Sequence, residues 1–186
     1  AYMNGAENII GVEAHKTNFD ISLNTFKNYK NVKLINRAIY KKSDEKLALR
    51  SFFGSETDRL TFNASLIDYR GANRKVDVET ISLSDIMNTY NIDKIDVLKC
   101  DIEGYEWELF DNLSDDIIKK IDRIHFDFHL NFNGEMRKLT DRMIKLGFNY
   151  LTDDSNALDS AQSTVIFYKP GEFDSEKISM EMAAKT

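Results

Sequence analysis

Residues 94–110 read K-I-D-V-L-K-C-D-I-E-G-Y-E-W-E-L-F. The run opens on branched apolar residues, Ile95, Val97 and Leu98, broken by Asp96 and Lys99. It then meets two acids, Asp101 and Glu103, a glycine at 104 and a helix-like run. A short segment rich in branched residues reads as a buried parallel strand. Such a strand delivers its last side chains to the carboxyl edge of the sheet, where open α/β folds bind ligands. Asp101 and Glu103 therefore fall where a site is expected. Gly104 permits a tight turn. Tyr105, Trp107, Leu109 and Phe110 give the following helix, expected over about 103–113, its apolar and aromatic surface.

Upstream of this stretch, N-I-I-G-V-E at 8–13 predicts a strand that Glu13 closes. Thr17 or Asn18 can cap a helix running to about residue 28. Phe19, Leu23 and Phe26 lie at helical spacing, so that face is expected to be core. Residues 32–40 read as one strand, 46–53 and 60–62 as strand-like, and 65–73 as a mobile loop with Tyr69, Arg70 and Gly71 at its tip. Residues 75–80 alternate and suit a strand with one wet face. Ser82 or Ser84 can cap a helix over 85–90.

Downstream, 117–121 form a short helical lead-in to a strand at 123–129, R-I-H-F-D-F-H. A period of two puts His125, Asp127 and His129 on one side, and Ile124, Phe126 and Phe128 on the other. A helix is expected over 135–146, with Met136, Leu139, Met143 and Leu146 inward and Gly147 ending it. Residues 148–151 and 164–169 form a last strand pair, expected as an antiparallel hairpin. The whole reads as an α/β protein: a doubly wound three-layer sandwich with a mostly parallel sheet and a C-terminal antiparallel strand pair. Residues 1–171 form the domain and 172–186 a tail or short peripheral helix. A fold of this kind needs a strand and helix before residue 8, so the domain reads as N-terminally incomplete, with that part expected upstream.

Composition narrows the function. The chain has 186 residues, enough for one well-cored domain. Its net charge of −6 argues against a nucleic-acid footprint built on bulk positive charge. A single cysteine, Cys100, cannot close an internal disulfide and points to a reducing, cytoplasmic compartment. No secretory signal and no apolar run of membrane-spanning length is present, so no membrane partner is expected. The P-loop pattern, the G-x-S-x-G elbow and H-E-x-x-H are all missing, and no metal site is expected.

Three groups carry chemistry. Glu13, an acid closing an early strand, can accept from the two hydroxyls of a ribose, or stand in solvent as an ordinary strand-end acid. Asp101 and Glu103 can hold a ligand amine, bind a metal or act as a base, and share a side if the strand persists. Alternatively Asp101 caps the next helix and Glu103 meets its positive end. Asp127 and His129, with His125 upstream, form a base or a metal-ligand pair, or a buried hydrogen-bonded histidine. Glu106 and Glu108 are expected to face solvent, and Trp107 to hold its helix on the sheet. Tyr69 and Arg70 form a lid or substrate wall, or a solvated tip.

The phrases V-D-V-E-T-I-S-L-S-D-I and I-D-K-I-D-V-L-K-C-D-I-E-G-Y-E-W-E-L-F closely resemble the FkbM-type methyltransferases, a class I S-adenosylmethionine-dependent family of mostly O-methyltransferases. Residues 82–85 match that family's "sLDdl" and residues 99–106 its "LKiDvEGaE" phrase. Asp127-Phe128-His129 looks like its "E-x-H" strand end, with aspartate for glutamate. Residues 5–13 look like "Ga.kViavEP", with Ala14 in place of the usual proline, and residues 36–39 resemble "n.Ai". The glycine-rich first motif of the family, "D-x-G-A-n-x-G", is not in the sequence and is expected upstream of Ala1.

The resemblance implies S-adenosyl-L-methionine as cofactor and O-methylation of a small-molecule or saccharide hydroxyl by direct displacement. It implies Glu13 with Ala14 at the cofactor ribose, and Asn36, Arg37 and Ala38 near the adenine. Asp101 falls near the methyl centre or the cofactor's amino-acid end. Glu103 and His129 serve substrate orientation or base work. Two rival readings stand beside it: a non-catalytic methyltransferase-like binding or assembly domain, and a nucleotide-dependent oxidoreductase. Full-length sequence separates the first, and the central D-I-E-G-Y-E phrase disfavours the second.

Overall fold

The computed structural model describes residues 5–51, 64–66, 74–129, 135–152, 157–159 and 162–171. They form an α/β protein divided into two compact units, residues 1–85 and 86–186. The strand-like reading of 60–62, the loop tip with Tyr69 and Arg70, and the tail after 171 lie outside the described residues.

In the first unit, β1 (Ile9–Val12) leads to α1 (Lys16–Phe26) and β2 (Val32–Ile35). β1 and β2 pair in parallel, Ile9 opposite Val32 and Val12 opposite Ile35. A second sheet holds β3 (Ala38–Ile39), β4 (Lys46–Ser51), β5 (Ala64–Ser65) and β6 (Arg74–Ile81) in the order β3-β6-β4-β5. Residues 32–40 are therefore two strands in two sheets, not one. The break falls at Asn36 and Arg37, whose side chains bind backbone carbonyls of other segments. α1 buries no residue fully, and Leu23 is 50% exposed. The expected core face of α1 is thus partly wet, because its main neighbour is one short strand, β2. His15 precedes the helix with no side-chain cap, so neither Thr17 nor Asn18 opens it.

The core of this unit is small: Ala38, Leu49 and Val78, with Ala14, Ala64 and Leu66 against them. Polar bonds do much of the remaining work. Fully buried Thr80 donates its hydroxyl to Lys42 O at 2.7 Å and accepts from Glu45 N at 3.0 Å. Ser82 accepts from Asp85 N at 3.1 Å, the N-cap expected of it, at the start of α2 (Leu83–Thr89). Ser82 and Ser43 both donate to Asp85, and these hydrogen bonds hold its carboxyl below the usual range.

In the second unit, β7 (Ile95–Cys100), α3 (Glu106–Asn112), α4 (Asp115–Ile118), β8 (Ile121–His129), α5 (Glu135–Lys145), β9 (Asn149–Thr152) and β10 (Gln162–Tyr168) follow in order. Their sheet runs β7-β8-β10-β9. β7 pairs with β8 in parallel, Cys100 opposite Phe126. β10 is antiparallel to both β8 and β9. β8 follows its expected alternation: Ile124, Phe126 and Phe128 are buried, while His125, Asp127 and His129 are half-buried. Phe126 meets Phe110 edge to face at 4.5 Å and Phe167 at 6.0 Å, a favoured geometry for aromatic pairs. α5 turns Met136, Leu139 and Met143 inward. It ends at Gly147, φ +91°, where Phe148 N donates to Met143 O and Gly147 N to Ile144 O. That paired closure needs a left-handed residue, which glycine supplies without strain.

Two expectations are corrected here. Three strand pairings are parallel (β1–β2, β3–β6, β7–β8) and four antiparallel (β4–β5, β4–β6, β8–β10, β9–β10) among the described residues. The two four-stranded sheets are therefore mixed, not mostly parallel. β7 is also not a strand buried on both sides: it lies at the edge of its four-stranded sheet, and Val97 is 54% exposed.

Candidate active site

β7 stops at Cys100, so Asp101, Ile102 and Glu103 form a turn rather than an extension of the strand. The expectation that Asp101 and Glu103 share one face of a continuing strand fails for that reason. Glu103 has φ +55° and Gly104 φ +98°, two successive left-handed residues. The turn presents its backbone N–H groups inward, and Glu106 receives them. Its Oε1 accepts from Ile102 N at 2.9 Å and its Oε2 from Gly104 N at 2.9 Å. Glu106 is fully buried, which corrects its expected solvent-facing position; Glu108 is exposed as expected. Buried carboxylates persist where charge-assisted hydrogen bonds replace water. α3 is capped at Tyr105 with no side-chain bond, so Asp101 is not its cap.

His129 ends β8 and joins this cluster. Its Nδ1 lies 3.2 Å from Glu106 Oε1 and its Nε2 3.9 Å from Glu103 Oε2. The hydrogen bond to Glu106 is the main reason its imidazole is held above the usual histidine range, with the charges of Glu106, Glu103 and Asp101 adding to it against burial. Burial chiefly raises the Glu103 carboxyl, with His129 opposing and Asp101 and Glu106 reinforcing the rise. Asp101, Glu103 and His129 each place one ligand-type atom within 4.8 Å of the others. Three such groups could coordinate a cation, but Lys99 already brings an ammonium to 3.1 Å from Asp101 Oδ2.

The Asp127–His129 pair of the sequence reading is divided between partners. Asp127 binds Lys99 and accepts from Thr164 Oγ1 at 2.9 Å, whereas the carboxylate on His129 is Glu106. Lys99 is raised by these two aspartates against the desolvation that lowers it. His125 takes Arg123 Nε at 2.9 Å on its Nε2. Cys100 is buried and its thiol is pushed well up by that burial, so it is not a nucleophile. Sequence reasoning missed Glu106 and Lys99. The signal for Glu106 was a carboxylate two residues after a turn glycine, within reach of that turn's amides. For Lys99 it was the i, i+2 spacing to Asp101.

The cofactor candidates Glu13, Ala14, Asn36, Arg37 and Ala38 lie in the first unit. Glu13 follows β1 and donates its N–H to Ile35 O at 3.0 Å. Its Oε1 accepts from His15 N at 2.7 Å. Asn36 donates its amide to Glu13 O at 2.9 Å and Ala14 O at 3.1 Å, fixing the turn after β1. Arg37 is committed to Asp44 at 2.5 Å, Thr80 O at 3.0 Å and Glu79 at 3.1 Å. Ala38 is buried. Asn36 and Arg37 thus shape the backbone of this edge with their side chains.

The family model for the methyltransferase FkbM domain matches residues 1–150. Among curated proteins, the human "Probable methyltransferase-like protein 24" is 34% identical over 85 residues, 42% of this chain and 23% of that protein. The rat protein of the same name is 32% identical over 93 residues, 47% of this chain and 26% of its own length. The chain thus matches only a minor part of each relative. No solved structure gives a significant match. Among the described residues no helix is long and apolar enough to cross a membrane. With the family model spanning most of its length and the D-I-E-G-Y-E turn built into its candidate site, the chain belongs to the FkbM-type methyltransferase domain family.

Proposed function

We propose that the chain is an S-adenosylmethionine-dependent O-methyltransferase acting on a hydroxyl of a small molecule or saccharide. The observation that carries this reading is the placement of His129 Nε2 beside Glu103, at the carboxyl ends of the parallel strands β7 and β8, with Nδ1 occupied by Glu106. The ring therefore has one nitrogen for support and one for chemistry. The net charge of −6 favours an uncharged acceptor over nucleic acid. The lone buried thiol suits a reducing, cytoplasmic setting.

The donor chemistry of Glu13 fits the cofactor. One of its carboxylate oxygens is used by His15 N, and among the described residues the other has no hydrogen-bond donor. A carboxylate oxygen at a strand's carboxyl end suits the hydroxyls of a ribose. Ala14 and the 36–38 backbone would line the same edge. When bound, S-adenosylmethionine supplies an electrophilic methyl on a sulfonium. The chain's own residues then orient the acceptor and take its proton. In this reading His129 Nε2 receives the hydroxyl proton in its neutral form. Glu103 and Asp101 accept hydrogen bonds from neighbouring hydroxyls and fix the attacking oxygen in line.

Calorimetric titration with S-adenosylmethionine and S-adenosylhomocysteine tests the reading. Saturable micromolar binding is expected, weakened about tenfold or more in Glu13→Ala. His129→Ala should keep that affinity and lower turnover by about 10²–10⁴-fold. Absence of binding by the full-length wild-type protein would sink the methyltransferase reading.

A further inference from the structure

We propose that Glu106 is the positioning residue of this site: its buried carboxylate accepts a hydrogen bond from Nδ1–H of His129, fixes the imidazole in its Nδ1–H form, and leaves Nε2 as the proton-accepting atom. The ring-positioning part stands on geometry alone. The identification of Nε2 as the reacting base rests on the O-methyltransferase reading above.

Both carboxylate oxygens of Glu106 are engaged by the turn. Oε1 accepts from Ile102 N and Oε2 from Gly104 N, both at 2.9 Å. Backbone amides can only donate, so both oxygens act as acceptors, each with a second lone pair. An ionised carboxylate in this cradle has only acceptor capacity to offer, so His129 Nδ1, 3.2 Å from Oε1, is assigned as the donor. The nitrogen that carries a histidine proton is set by the bond its partner makes. Here that choice is made by a group with no solvent access. Water cannot compete for Nδ1 through the Glu106 side.

The same carboxylate holds the left-handed pair Glu103–Gly104 in place, so the turn displaying Asp101 and Glu103 and the form of the imidazole share one anchor. Among the described residues, the charged groups around the ring are Glu106 at the start of α3 and Glu103 and Asp101 from the turn. Lys99 and Asp127, paired with each other, stand on the adjoining strands. The proton that comes and goes is the one on Nε2, facing Glu103, because Glu106 retains the other.

Long-range ¹⁵N–¹H spectra of the histidine rings test this directly. The chain has three histidines, and His129→Gln assigns the third signal by its loss. At a pH where the ring is neutral, His129 should show a protonated Nδ1 and a bare Nε2, the form that free imidazole disfavours. Glu106→Gln replaces one acceptor oxygen by an amide that cannot accept. It should mix the two ring forms and lower the titration midpoint of His129, because the bond that raises it is lost. A neutral wild-type ring protonated on Nε2 would overturn the proposal, and that reading needs no variant to fold. So would a folded Glu106→Gln protein with an unchanged midpoint and ring form. Loss of S-adenosylmethionine binding, in contrast, would defeat the functional reading while leaving the ring measurement untouched.

Discussion

Phe110, Phe126, Phe128, Phe167 and Ile124 are fully buried in the second unit, and α5, packed against α3, adds Met136, Leu139 and Met143. The first unit has no counterpart among its described residues. Its core is Ala38, Leu49 and Val78, its helix α1 buries nothing fully, and Ile21, Leu23 and Phe26 are exposed. Its order comes instead from side chains that tie backbone segments together: Asn36 across the turn after β1, Thr80 across 42 and 45, and Arg37 on Thr80 O. Apolar packing is non-directional and scales with area. Hydrogen-bond pins are directional and small in net worth, but leaving a buried partner unpaired is expensive. The two units should therefore fail in different ways.

The largest effect expected is from Phe126→Ala. It removes a ring that touches Phe110, Phe128 and Phe167, and should cost about 3–5 kcal/mol in urea unfolding followed by the fluorescence of the single Trp107. A loss below about 1 kcal/mol would erase the contrast between the units, since a surface position costs no more. Next comes Thr80→Val, isosteric but without the hydroxyl. It leaves Glu45 N and Lys42 O without their partner and should cost about 1–3 kcal/mol. Faster hydrogen exchange confined to residues 40–48 and 78–82 would mark the pin as local; no change there would show that packing, not polar ties, orders this unit too.

A smaller effect lies in pH. The folded state holds the His129 imidazole protonated more tightly than the unfolded chain does, chiefly through the bond to Glu106. Its contribution is complete below the unfolded value, about 6.5, and is lost as pH rises through the raised folded value. Glu103, raised chiefly by burial, acts with the same sign from its own lower window. Asp122 acts oppositely: burial would raise it, but Lys94 and Lys169 hold it low, so its contribution is lost as pH falls. The Trp107 unfolding midpoint should fall on the alkaline side in wild type and fall less in His129→Gln. Equal slopes in the two proteins would remove His129 from this balance. The smallest effect expected is Leu23→Ala, at 50% exposure, within about 0.5 kcal/mol of wild type. A loss above about 2 kcal/mol would mean that α1 is covered in solution.

The second unit was the more legible from sequence. The alternation of residues 123–129 and the spacing of Met136, Leu139 and Met143 before Gly147 are periodic signals of buried apolar faces, and β8 and α5 follow them. The first unit depends on polar ties between residues far apart in sequence, such as Asn36 to Glu13 and Thr80 to Lys42, which leave no period. That is why residues 32–40 read as a single strand. In the candidate site, the strand and its acids were visible, whereas the direction of each side chain was not. An acid in the first turn of a helix ordinarily faces water, so nothing periodic marked Glu106 as internal. Its burial follows from a turn whose left-handed residues aim N–H groups at it, and that is a property of backbone shape.

Glu103 holds a conformation, φ +55°, that glycine, with no Cβ, adopts at no steric cost and that a side chain makes about 1–2 kcal/mol less favourable. A screen that rewards heat resistance alone would thus drift at this position toward glycine or asparagine. The stabilised descendants would lose a carboxylate from the group it forms with Asp101 and His129. Under the proposed methyltransferase reading, position 103 is where selection for robustness and selection for turnover would pull the same codon in opposite directions.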